Sequence, residues 1–375
     1  MFGHEPWQLP PAVEMAEVLA EGGHEVRIIY NGSPDVNEIQ GISSLVAIRR
    51  VFSRRRIARL ISPVAWPSAL ALMGTSRATD HIIACDPAAL QACVRLPRRH
   101  TRLGYWSFEP IRGSSRCLSW DAWRSLRMPY WLSLCDFALA PSELRLAQLS
   151  KTLPTITPKF VVLNAARRSL PPRVSSALTG RIRSQTGVKL RIASIGRVDE
   201  TQGVDCLLSA LDRLPESVGA VICGPSADNE FAAHVRERVA EPGFRERCVV
   251  AGRVPRSEAS TLTSLCQLGT VIYSSGEVAA DIDACPNKIG DYLRHGLGIL
   301  GSDQEYVARL VNGYGVGTVL KRLTPETLTS AIGSFLQPDR LDRVRARSSR
   351  LFHDFYNMDS QAAGFLTFLR GLKVG

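Results

Sequence analysis

The 375-residue chain has no run of about 18 uninterrupted apolar residues, so no segment predicts a membrane-spanning helix. Its start, MFGHEPWQLP, lacks a basic region followed by an apolar core and is not read as a secretory signal. None of the nine cysteines forms a Cys-x-x-Cys pair. Their odd number, and the apolar runs holding Cys206, Cys223, Cys248 and Cys266, predict reduced, mostly buried thiols in a cytosolic protein. Zinc-finger spacings, an RNA-binding aromatic motif and a helix-turn-helix pattern are missing, which counts against nucleic acid as a partner. No repeat with a period of 20–50 residues occurs. Lysine is scarce, six against forty arginines, so each lysine is conspicuous, Lys288 above all.

What is present describes an ordinary globular chain: 45% apolar and 22% charged residues, with a mean hydropathy of −0.02. The length suggests two domains. The formal charge is +11 and unevenly spread. Residues 1–170 hold 21 basic and 13 acidic residues (+8), and residues 171–375 hold 25 and 22 (+3). The densest run has Arg49, Arg50, Arg54, Arg55, Arg56 and Arg59. Arg95, Arg98, Arg99 and Arg102 form a second cluster. Such clusters attract phosphate-rich partners, anionic lipid or phosphorylated small molecules, although an arginine-rich solvated surface reads the same way.

The second half alternates strands and helices. KLRIASI (189–195) is an apolar, β-branched run ending at Gly196. A helical pattern follows over 204–214, with Val204, Leu207, Leu208 and Leu211 on one face. Strands at 218–224, 248–252, 269–275 and 297–302 each precede a helical pattern, which predicts βαβ units on a parallel sheet. In such sheets ligands sit at the carboxyl ends of the strands. The first half offers a helix from PAVEMAEVLAEGG, then the strand EVRIIY. HIIACD, TRLGYWSF, DFALAPS and KFVVLN are further strands, with helices at PAALQACVRL and ELRLAQLS. Residues 169–188, with Pro171, Pro172, Ser175, Ser176 and Gly180, read as a linker. Such a half should open with a strand before its first helix, yet only MFG precedes HEPWQLPP. Either that strand is vestigial or the true start lies upstream.

Four segments in this order resemble the family 4 glycosyltransferases. EGGHEV is similar to the helix-to-strand turn of their first domain. IGRVDETQGVDCLLSAL resembles the phosphate-binding loop and helix, and VVAGRVPRSEASTLTSLC the helix lining the base pocket. CPNKIGDYLRHGLGILGSD resembles the donor-binding helix of the subgroup with Pro-Asn-Lys ahead of it. The resemblance implies an α/β protein of the GT-B fold, with two Rossmann-like domains facing each other across a cleft. These would be residues 1–168 on the acceptor side and 189–358 on the nucleotide-sugar side. The segment 359–375 would be a helix crossing back to the first domain.

The reaction implied is retaining, metal-independent transfer of a sugar from a nucleotide diphosphate sugar to a glycan, lipid-linked or small-molecule acceptor, with no cofactor. Charge then builds on the departing β-phosphate, and cationic side chains and helix N-termini must stabilise it. By resemblance Arg197 binds the diphosphate, for which a guanidinium fork is suited. Lys288 supplies the second cation, and Asp283 approaches the donor sugar, with Glu277 a weaker substitute. Gly196, Gln202, Gly224, Val254, Asn287 and Asp291 belong to the donor site, Val254 at the base and Asp291 at the ribose hydroxyls. Gln202 departs from the family, which usually carries a lysine there. Asp281-Ile282-Asp283 also spells the metal motif of the other glycosyltransferase fold, but the surrounding βα pattern fits the metal-free one. His4, Asp86 and Glu109 are acceptor-side candidates. Two other readings stay open: a non-catalytic nucleotide-sugar-binding subunit, and a sugar-nucleotide epimerase of the same fold. A basic first half predicts a protein that is cytoplasmic and peripheral on an anionic membrane.

Overall fold

A computed structural model describes residues 10–30, 46–50, 79–98, 100–108, 120–171, 173–226, 229–274 and 285–372. Contacts divide the chain into two compact units: Met1–Asn164 with Met358–Gly375, and Ala165–Asn357. Eight cysteines lie among the described residues, all free and seven of them buried.

In the first unit, α1 (Pro10–Glu21) buries Val13, Met15, Ala16 and Leu19. Gly22 and Gly23 end it: Gly23 takes φ 91°, and the His24 amide donates back to the Leu19 carbonyl. The chain then enters β1 (Val26–Tyr30), which pairs in parallel with β2 (Val46–Arg50). The second strand was not foreseen, because VAIRR merges into the basic run that follows it. β3 (His81–Ala84) leads into α2 (Pro87–Cys93), which has Asp86 as N-cap and proline in its first turn. β4 (Arg102–Trp106), α3 (Trp120–Ser133), β5 (Phe137–Ala140), α4 (Glu143–Ser150) and β6 (Lys159–Val161) complete this stretch. Pro129 lies inside α3, and a proline there hides a helix from pattern reading. Among the described residues the sheet order is β3-β4-β5-β6, parallel throughout, with β1-β2 as a second, two-stranded sheet.

In the second unit, α5 (Ala177–Ser184) falls within the stretch read as linker. Its Ser176 and Thr179 form a reciprocal capping box, and Ile182 is buried. Prolines and serines that suggested a linker are thus partly the punctuation of a helix start. Then come β7 (Leu190–Ile195), α6 (Val204–Leu211), β8 (Val218–Cys223), α7 (Asn229–Ala240) and β9 (Cys248–Gly252). α8 (Arg256–Ser264), β10 (Leu268–Val271), α9 (Lys288–Arg294), β11 (Gly298–Ser302) and α10 (Glu305–Tyr314) follow. β12 (Gly317–Leu320), α11 (Pro325–Gly333) and α12 (Pro338–Asp354) end the unit. The six strands form one parallel sheet in the order β12-β11-β10-β7-β8-β9. Strands buried on both faces need near-continuous apolar runs, and every residue of β8 is buried.

The last helices, α13 (Met358–Gln361) and α14 (Ala363–Gly371), return to the first unit. Phe365 packs on Phe137 and Phe160 with ring centroids 5.4 and 5.5 Å apart, and Phe368 on Phe160 at 4.8 Å. The expected α/β fold, with a final helix crossing back, is therefore present. Among the described residues no helix is long and apolar enough to cross a membrane.

Candidate functional site

The carboxyl ends of β7, β8 and β9 are laced together by backbone hydrogen bonds. The Gly196 amide donates to the Cys223 carbonyl at 2.9 Å, Gly224 to Gly252 at 2.8 Å, and Val198 to Pro225 at 2.9 Å. Gly224 takes φ 150°, and a Cβ on it would lie 1.6 Å from the Gly196 carbonyl oxygen. Only glycine fits there, so the two loops touch backbone to backbone. Gly196, at φ 127°, leaves space that Lys288 fills: a Cβ would meet its Cε at 3.3 Å and its Nζ at 3.4 Å.

Lys288 therefore stands over the end of β7. Its Nζ donates to Gln202 Oε1 at 3.0 Å and lies 5.4 Å from the centroid of the Tyr273 ring. Burial lowers its ammonium pKa to about 8; Asp199 opposes that shift and Arg197 adds to it. Arg197, largely exposed, pairs through Nε with Asp199 Oδ2 at 2.9 Å. The other oxygen of Asp199 caps the short turn Glu200–Gln202 by accepting from the Thr201 amide. One carboxylate thus sits among two cations, leaving a net positive group beside a glycine-lined loop. Lys288 begins a helix, where the macrodipole disfavours a cation, and its neighbours supply one carboxylate and one neutral acceptor.

Tyr292 ties α9 to the sheet. Its hydroxyl accepts from the Ile195 amide at 3.0 Å and lies 3.2 and 3.3 Å from the Ala193 and Thr270 carbonyls. Gly269 makes room for its ring, since a Cβ there would be 2.4 Å from Cδ2. Ser302 Oγ accepts from the Tyr273 amide at 2.7 Å and fixes the strand end under Lys288. Asp291, one turn after Lys288, makes no hydrogen bond or ion pair among the described residues. His295 Nε2 lies 2.9 Å from Ser260 Oγ, and burial lowers its pKa to about 4, so it is neutral at pH 7. Val254 is partly buried just beyond β9, and Asn287 immediately precedes α9 without a side-chain capping bond.

The structure thus brings Gly196, Arg197, Gln202, Gly224 and Lys288 together, with Asn287 and Asp291 on the element that carries Lys288. Asp283, Glu277, Asp281, His4 and Glu109 lie outside the described residues. Asp86 caps α2, accepting from the Ala89 amide at 2.7 Å. Sequence reading passed over Asp199, Tyr273, Tyr292 and Ser302. Only Tyr292 left a trace, as a hydroxyl on the apolar face of a short helix. Among the described residues no cluster of three or more His, Cys, Asp or Glu is placed to hold a metal ion.

The sequence matches no family model and no curated protein. The fold matches solved structures over nearly its whole length. Anabaena HepE in complex with UDP and glucose is 15% identical, with a TM-score of 0.70 over 99% of this chain and 98% of that one. Sucrose-phosphate synthase from Thermosynechococcus elongatus is 16% identical, with a TM-score of 0.70 over 96% and 91%. WaaG, a glycosyltransferase involved in lipopolysaccharide biosynthesis, is 13% identical, with a TM-score of 0.63 over 95% and 95%. At these identities the likeness establishes the fold, which is the GT-B fold.

Proposed function

We propose that the protein is a retaining glycosyltransferase that uses a nucleotide diphosphate sugar without a metal ion. The observation that carries this reading is the convergence of Lys288 and Arg197 on the glycine-lined end of β7, a place suited to a diphosphate. The fold it shares with Anabaena HepE, which binds UDP and glucose, supports the same reading.

In the reaction, the bond between the anomeric carbon and the β-phosphate oxygen breaks, and its electron pair leaves with the phosphate. Lys288 and Arg197 stabilise that charge where it develops, which lowers the barrier more than binding the ground state would. The acceptor hydroxyl attacks the same face of the anomeric carbon and passes its proton to the leaving phosphate. Asp291 accepts hydrogen bonds from the ribose hydroxyls, and backbone groups around Val254 read the base. The basic first half suits a phosphorylated or lipid-linked acceptor at an anionic surface.

One observation favours a second reading. Gln202 stands where the resembled family carries a lysine, and a cradle short of one cation would bind a donor without turning it over. Incubation with uridine and guanosine diphosphate sugars, following nucleoside diphosphate release, separates the two. Release is expected; binding without release supports the non-catalytic subunit, and absence of binding overturns both.

A further inference from the structure

Three polar side chains meet inside the second unit, and no step above uses them. Cys285 Sγ and Tyr356 Oη share a hydrogen bond, and Tyr356 Oη lies 3.1 Å from Tyr306 Oη. Cys285 is also a hydrogen-bonding neighbour of Tyr306. Cys285 and Tyr356 are buried and Tyr306 partly so. Burial holds both tyrosine pKa values well above the ordinary one, so each hydroxyl keeps its proton and can donate it to a hydrogen bond. Polar atoms taken out of water are costly unless they meet one another, whereas apolar side chains of the same shape would fill the space without that cost. What the polar cluster adds over apolar packing is direction: it joins three chain segments in one geometry.

The segments are the entry to α9, the first turn of α10 and the end of α12. Cys285 stands three residues ahead of Lys288, the first residue of α9. Tyr306 is the second residue of α10, and Tyr356 follows the residue that caps α12. The α12 end is itself fastened. The Tyr356 amide donates to the Leu351 carbonyl at 2.8 Å, and Asn357 Nδ2 donates to the Phe352 and His353 carbonyls at 2.7 and 3.2 Å. α9 lacks such a fastening of its own where it begins: it has seven residues, and Asn287 gives it no side-chain cap. Only Pro286 and Asn287 separate it from Cys285, and a proline ring fixes one backbone torsion of that short link. The Ile289 amide donates to the Pro286 carbonyl at 3.1 Å, so the placement of Cys285 passes directly into the turn that carries Lys288.

We propose that Cys285, Tyr306 and Tyr356 are positioning residues for the donor site: they hold the start of α9 so that Lys288 Nζ stays against Gln202 over the end of β7. A lysine is a point charge on a flexible four-carbon stem, so where its ammonium stands depends on where its backbone is held. Tyr292 holds α9 one turn further on, through the Ile195 amide, and the cluster holds the side that Tyr292 does not reach. Misplacement by about 1 Å at a reacting centre is enough to cost two orders of magnitude in rate. The consequence for the donor rests on the reading of Lys288 as a diphosphate ligand; the consequence for Lys288 itself does not.

The test therefore reads Lys288 first and the donor second. The full chain, carrying isotope-labelled lysine, is titrated by NMR, and the Lys288 signal is identified by its loss in Lys288→Met. The native midpoint is expected near 8. Tyr356→Phe and Cys285→Ala release α9 and let the ammonium reach water, so its proton affinity is expected to rise about threefold or more. Cys285→Ser keeps a hydroxyl for Tyr356 and is expected to restore the native midpoint. Lost stability alone does not move a titration within the folded chain. Calorimetry at pH 7 is expected to show uridine diphosphate binding several-fold weaker in Tyr356→Phe and Cys285→Ala, and native in Cys285→Ser. The proposal is overturned if either disruptive variant, folded, leaves the Lys288 midpoint in place, or if Cys285→Ser moves it as far as Cys285→Ala. Should Tyr356→Phe fail to fold, the two Cys285 variants decide. If the native chain binds no uridine diphosphate, the donor reading fails, and the lysine titration still decides the positioning.

Discussion

The two units are built on the same parallel βα plan but finish it differently. In the second, six strands form an unbroken sheet, and the loops at one end of three adjacent strands are stitched to each other. In the first, the described strands form a pair and a quartet. A continuous sheet delivers its loops to fixed positions, so the second unit holds two cations and an acid in one place. The acceptor-side candidates of the first unit have no comparable cluster: Asp86 serves a helix end, and the others fall outside the described residues.

The contrast is broken most severely at Gly224. Gly224→Ala is expected to destabilise the second unit by on the order of 3 kcal/mol or more, since a methyl cannot share space with the Gly196 carbonyl. Thermal unfolding followed domain by domain checks it; loss confined to the first unit would contradict the stitching described. In the first unit, Phe365→Ala removes a ring that bridges α14 to the β5–β6 surface. A cost of about 3–5 kcal/mol is expected, with uridine diphosphate affinity in the second unit unchanged.

Lys288 gives a pH signature to the second unit alone. Its pKa in the folded chain is near 8 and lower than its ordinary value. The unfolded chain therefore binds more protons across that interval, so stability rises as pH increases from about 8 towards the ordinary lysine range. Diphosphate binding favours the charged ammonium, so affinity falls as pH rises through about 8, by at most tenfold per unit. Calorimetry of uridine diphosphate binding from pH 6.5 to 9.5 reads this directly, and Lys288→Met is expected to flatten the profile. Tyr292→Phe, which removes a hydroxyl holding the Ile195 amide, is expected to cost about 1–2 kcal/mol of stability. It should also weaken diphosphate affinity several-fold through misplaced α9.

Most of the second unit was readable because its strands are buried on both faces and bounded by glycines. LRIASI followed by Gly196, and CVVAG ending in Gly252, carry their own boundaries. β2 and α3 escaped because one merges with an arginine run and the other contains Pro129. α5 escaped because a capping serine and a linker serine look alike without a neighbour to pack on. At the site, glycines and lone cations announced themselves, since each is rare or conformationally marked. Asp199, Tyr273 and Ser302 act through partners far along the chain, as when Ser302 holds the Tyr273 amide, and no local pattern encodes such a pairing. Gln202 looked like a lost charge in one dimension; in three it is the acceptor that holds Lys288.

One titration addresses the diphosphate cradle of fixed cations at the end of β7. Calorimetry should compare uridine and guanosine diphosphate binding to the native chain with binding to the double variant Arg197→Ala, Lys288→Ala. Charged hydrogen bonds of about 1.5–3 kcal/mol each predict a loss of at least 100-fold for the pair, with unfolding of the second unit unchanged or slightly delayed. Equal affinity of the folded double variant and the native chain would contradict the cradle.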